Sequence, residues 1–107
     1  MSTKSKAMNA LEGMTGGPLT LGELLCSIRE GEEMTITVFA ENLGISRSHL
    51  NDIEKGNKSV SPQKAAEYAQ ILGYSEQQFV RLALQDLLNR YELPYLVEVT
   101  KMKSKKA

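Results

Sequence analysis

The chain has 107 residues and zero formal net charge, with 13 basic and 13 acidic side chains, one histidine and one cysteine. That length suits one domain with a modest core and room for an oligomer interface. No apolar run approaches the roughly 18 residues of a membrane span, the first residues lack a secretory apolar segment, and one His with one Cys argues against a zinc site within the chain.

The cytoplasm is therefore the expected compartment, and neither a metal nor a cofactor is expected. Cys26, between Leu25 and Ile28, reads as a small packing residue. Residues 1–17 are polar and broken by Gly13, Gly16 and Gly17, which predicts a flexible leader. The alternative makes Lys4 and Lys6 part of a basic arm. A first helix begins near Thr20, where Thr20 and Glu23 have capping-box spacing, and Leu21, Leu24, Leu25 and Ile28 form one apolar face. Gly31, Glu32 and Glu33 end it.

Thr35 caps a second helix that runs to Leu43 and buries Phe39, Ala40 and Leu43. Ala40 is small enough for two helix backbones to cross closely, and Gly44 can adopt the positive φ that turns the chain. Ser46 then caps a third helix of about Ser46–Lys55. Leu50 and Ile53 share its inward face, whereas Arg47, Ser48, Asn51, Asp52 and Lys55 project elsewhere. After Gly56 and a polar loop, Ser61 caps and Pro62 opens a fourth helix that stops at Leu72–Gly73. Ser75 and Gln78 repeat the capping-box spacing and open a fifth helix to about Tyr91.

At 100° per residue, Phe79, Val80, Ala83, Leu84, Leu87, Leu88 and Tyr91 sweep about half of that fifth helix, with Leu82 outside the arc. A stripe of about 100° serves one core, so the extra width predicts a second body. The alternative leaves Leu84 and Leu88 exposed or covered by the tail. After Pro94, YLVEVT alternates and is β-branched, which predicts a strand. A lone strand needs a partner: the same strand of a second subunit, antiparallel about a two-fold axis, or a strand of another protein. The expected dimerisation residues are Val80, Leu84, Leu87, Leu88, Tyr91, Tyr95, Val97 and Val99.

The elements from Leu19 to Leu72, in particular LGELLCSIRE, Thr35, FAENLGIS, the IEKG segment and SPQKAAEYAQILG, resemble the Xre, or lambda-repressor-like, helix-turn-helix family of bacterial and phage regulators. The resemblance implies a mostly α, five-helix lambda-repressor-like domain, to which the C-terminal strand adds a dimerisation element. The implied organisation is a leader at 1–17, a DNA-binding domain at 18–74, an association module at 75–100 and a basic tail at 101–107. It implies base contacts from Arg47, Ser48 and Asp52, with Asn51 at the edge. Arg47 suits guanine O6 and N7, and Asp52 suits a cytosine amino group. For Asp52, an ion pair with Arg47 or Lys55 is an equal alternative.

Thr35, Ser46, Lys55, Asn57, Lys58 and Ser59 are expected at phosphates. His49 can reach a phosphate or serve as a half-exposed packing residue, and the alternative for Lys4 and Lys6 is an arm in the DNA minor groove. The resemblance also implies that Arg29 pairs with Glu54 and pins the third helix to the first. One departure is Ile36, which stands where the family often has a phosphate-binding glutamine and can make no such bond.

Charge is unevenly placed. Residues 18–100 hold seven basic and twelve acidic side chains, a balance of −5, whereas 47–64 carries +2. Screening limits the reach of these charges to about 8–10 Å, so local sign matters more than the total. The leading expectation is a homodimeric, sequence-specific transcriptional regulator, a repressor reading a palindrome in double-stranded DNA. The alternative is an antitoxin-like DNA-binding protein whose C-terminal module holds a small toxin. A use in protein contact alone is a further option. No catalytic constellation rises above chance.

Overall fold

Five helices run in order through residues 19–103, the part of the chain that the computed structural model describes. They are α1 (Leu21–Gly31), α2 (Ile36–Leu43), α3 (Arg47–Glu54), α4 (Pro62–Leu72) and α5 (Glu76–Arg90). The leader with Lys4 and Lys6, and the last tail lysines Lys105 and Lys106, lie outside the described residues. No helix among the described residues is long and apolar enough to cross a membrane.

Local chemistry sets the helix ends. Thr20 and Glu23 form a reciprocal capping box, with Glu23 N–H donating to Thr20 Oγ1 at 3.0 Å and Thr20 N–H to Glu23 Oε1 at 3.1 Å. Thr35, Ser46, Ser61 and Ser75 each accept one orphan amide of the helix that follows. At Ser75 the box is half made: Gln78 Oε1 accepts from Arg81 Nε instead of the Ser75 amide.

One core runs through all five helices. Leu21, Leu24, Leu25 and Ile28 of α1 meet Phe39, Ala40 and Leu43 of α2, Leu50 and Ile53 of α3, Ala65, Tyr68 and Ala69 of α4, and Phe79, Leu82 and Ala83 of α5. Leu82 is 3 % exposed, so it belongs to the core and not to the far side of α5. The buried side of α5 therefore extends past the predicted arc to Leu82 and Gln85, because α1 as well as α4 packs against this helix.

The C-terminal strand is corrected by the structure: the described residues contain five helices and no strand. The segment after Pro94 has no regular secondary structure, and Val97 and Val99 are half-buried while Leu96, Glu98 and Thr100 are exposed. A ladder needs a second backbone, and no other described segment supplies one. Side chains of α5 stand in for it. Gln85 donates to Tyr95 O at 2.9 Å and accepts from Val97 N–H at 2.8 Å, while Gln77 donates to Val99 O at 2.6 Å. Leu84 and Leu88 lie on the side of α5 that carries Gln77 and Gln85, and they are half-buried.

Asp86 ties α5 to the start of α1, since its Oδ2 accepts from Leu21 N–H at 2.9 Å. Burial raises its carboxyl above the ordinary value. The Leu21 amide acts against the rise and Glu23 adds to it. A carboxyl with a raised folded pKa holds its proton more tightly when folded. Its stabilising contribution is complete below the unfolded value of about 3.9 and is lost as pH rises through the folded value. Asp86→Asn keeps an acceptor for Leu21 without the charge. Its melting temperature should equal or exceed the parent's at pH 7, with a flatter pH dependence above about pH 4. A clear drop at pH 7 would show that the charge itself is needed.

Candidate nucleic-acid interface

Helix α3 is built to show one face outward. Leu50 and Ile53, 0 % and 2 % exposed, are its only buried residues. Arg47, Ser48 and Lys55 are exposed, and His49, Asn51 and Asp52 are partly exposed. The turn leading into α3 is tight. Gly44 takes φ 76°, its N–H and that of Ile45 return to Glu41 O and Ala40 O, and Ser46 Oγ accepts from His49 N–H at 3.0 Å. Ala40, 1 % exposed, sits in the helix before that turn.

Two contacts hold α3 against α1. Arg29 grips Glu54 with both prongs of its guanidinium, Nε to Oε2 at 2.8 Å and Nη2 to Oε1 at 3.0 Å. The side chains are 17 % and 7 % exposed, and Arg29 Nη1 also reaches Met34 O at 3.2 Å. The Glu54 hydrogen bond raises the Arg29 pKa above its ordinary value. Cys26 lies beside the pair, with its thiol pushed up by burial first and by the Glu54 charge second. The second contact is Gly22, where an added Cβ would collide with Ile53 O and lie 3.1 Å from the Ile53 carbonyl carbon. The pattern of α1 does not mark Gly22, although a glycine inside a helix costs about 1 kcal/mol against alanine and so invites a packing reason.

The loop after α3 is tied to the same helix. Asn57 and Lys58 N–H both donate to Asp52 O, at 2.8 and 3.2 Å, and Gly56 turns with φ 82°. Lys55, Asn57, Lys58 and Ser59 are exposed around that turn. Thr35 and Ser46 are exposed as well, at the starts of α2 and α3. Their oxygens accept from backbone amides, which leaves each hydroxyl proton free to donate.

Among the described residues the ion pairs are Arg29–Glu54 and Lys64–Glu67, so Asp52 pairs with neither Arg47 nor Lys55. The Glu54 charge is paired with Arg29, whereas Arg47, Lys55 and Lys58 have no ion pair among the described residues. The side chain of Ile36 packs against the core. No group of His, Cys, Asp or Glu suited to a metal occurs among the described residues.

Gln77, Gln85 and Asp86 also went unnoticed in the sequence. Their partners lie 22, 10–12 and 65 residues away, and no local pattern marks such contacts. Residues 27–79 match the helix-turn-helix family model. No curated protein matches the chain, and no solved structure matches it.

Proposed function

Residues 27–79 are a helix-turn-helix domain of the Cro/C1, lambda-repressor-like type, which makes the chain a DNA-binding regulator, and from that premise we propose that it is a homodimeric repressor reading a palindromic operator. The observation that carries this reading is the outward face of α3, backed by two core residues and braced on α1. In this reading Arg47, Ser48, Asn51 and Asp52 meet base edges. Thr35, Ser46, His49, Lys55, Asn57, Lys58 and Ser59 meet the phosphates on either side.

A dimer is supported by apolar surface beyond the core. Leu87 is 42 %, Tyr91 67 % and Leu96 81 % exposed, and Val80, Leu84 and Leu88 are partly exposed on the same helix. Two copies meeting there would present their α3 helices to half-sites about one DNA turn, or 34 Å, apart. Bound across a promoter, such a dimer represses by blocking polymerase. The same patch favours a second reading, in which it holds a small toxin protein. Co-purification of a second small chain in fixed ratio would select that reading.

Selection of DNA from a random pool tests the main proposal, which requires an enriched inverted repeat. Arg47→Ala should cost about 1–3 kcal/mol at one base position and leave random DNA binding nearly unchanged. Lys58→Ala should weaken all sites alike and reduce the salt slope by about one. Titrations on selected and random DNA at two salt concentrations check both, and equal losses for Arg47→Ala on the two DNAs would remove Arg47 from the base-reading set.

A further inference from the structure

The arm that follows α5 is held by side chains that read its backbone alone. Gln85 and Gln77 bond to the carbonyl of Tyr95, the amide of Val97 and the carbonyl of Val99. Gln85 is 7 % exposed, the one polar residue that the described core buries; its Nε2 also donates to Asn89 Oδ1 at 3.1 Å, and the arm supplies the partner of its carbonyl oxygen. None of those bonds depends on which copy of the chain supplies the backbone.

The connection returns the arm onto its own helix through a strained reversal. Glu92 holds φ 58°, a left-handed conformation unusual for a residue with a side chain. Its N–H bonds to Asn89 O, and Leu93 N–H bonds to Leu88 O. Opening the reversal would release that conformation and carry the arm away from α5. Around it Tyr91, Tyr95 and Leu96 stand 67 %, 64 % and 81 % exposed, apolar surface that a second copy would cover.

We propose that the arm, residues 95–101, is exchanged between two copies of this chain, each arm lying in the α5 groove of the other on Gln85 and Gln77. The inference rests on the homodimer reading and says how that dimer is clasped. Every arm-to-helix bond seen within one chain is remade between chains, the left-handed turn at Glu92 is relieved, and Leu84 and Leu88 are covered by the other copy's arm. The arm remains an irregular segment read by glutamines, with no strand pairing. Reciprocal exchange closes the assembly at two copies.

Val80 and Val99 line the same cleft and are half-buried, so cysteines there report the arm's seat. The full chain carrying Cys26→Ser, Val80→Cys and Val99→Cys is oxidised at a concentration where the unlinked protein sediments as a dimer. Exchange predicts covalent dimers on a non-reducing denaturing gel. Linked monomers, or no link, overturn it while leaving the homodimer intact. A chain that sediments as a monomer at every concentration removes both readings. A second variant uses no cysteine: Glu92→Gly makes the return onto the same chain easy and should weaken the dimer about tenfold by sedimentation. An unchanged or tighter dimer would count against exchange.

Discussion

Gly22→Ala should unfold at a temperature roughly 12–24 °C below the parent and bind DNA more weakly even where it remains folded. In an ordinary helix interior the same change stabilises by about 1 kcal/mol, because alanine loses less backbone entropy on folding. Here the new methyl would collide with the Ile53 carbonyl oxygen and lie 3.1 Å from its carbon. Both obstacles are backbone, so no side chain can swing aside. Either α1 or α3 must move, at an overpacking cost of about 3 kcal/mol. For a domain of this size each kcal/mol shifts the melting temperature by about 4–8 °C. Thermal melting and a DNA titration check the two parts. A variant as stable as the parent would mean that α1 and α3 can separate freely at this crossing.

Glu54→Gln should also have a large effect, and for a different reason. It leaves the Arg29 guanidinium, 17 % exposed at its side chain, without the carboxylate that it grips. Removing one partner of a buried pair costs about 3–5 kcal/mol. Arg29 keeps its bond to Met34 O and some solvent, so roughly 2–3 kcal/mol is expected for this partly exposed pair. Because the pair joins α1 to the last turn of α3, DNA affinity should fall on selected and random sequences together. Replacing both residues by apolar ones, Arg29→Met with Glu54→Leu, should recover much of the stability, since no charge is then left unpaired. Unchanged melting and unchanged affinity for Glu54→Gln would show that the pair braces nothing.

These two contacts and Asp86 give α1 a central mechanical role. On one side α1 carries α3 through Gly22 and Arg29, and at its start it is held by α5 through the bond from Leu21 N–H to Asp86. The helix proposed to read DNA and the helix proposed to meet a second copy are thus referenced to the same rod. A fixed half-site spacing needs that kind of rigid linkage.

Each helix boundary was legible because its causes are local. Thr20 with Glu23, Thr35, Ser46, Ser61 and Ser75 cap helices through atoms three residues apart, and Gly44 and Gly73 end them through their own φ. The helix-turn-helix pattern was legible for the same reason, since a tight turn between two short helices allows few residues at Ala40, Gly44, Leu50 and Ile53. Capping and turning act over one turn of chain, and the order of residues suffices to state them.

Tertiary structure alone decided what lies between the elements. YLVEVT has the alternation of a strand, and the alternation survives as Val97 and Val99 inward with Leu96 and Glu98 outward. A ladder nevertheless requires a neighbouring backbone, which is a property of the assembled chain and not of the segment. Leu82 joined the core, and Gln85 became a buried partner of the arm, once α1, α4 and the arm had taken their places around α5. Gly22 and Asp86 act across 31 and 65 residues of chain, where no periodicity reaches. Sequence order by itself determined which segments become helices and which face of α3 is polar. Packing decided how that face is held, because close approach and burial exist only when distant segments share one volume.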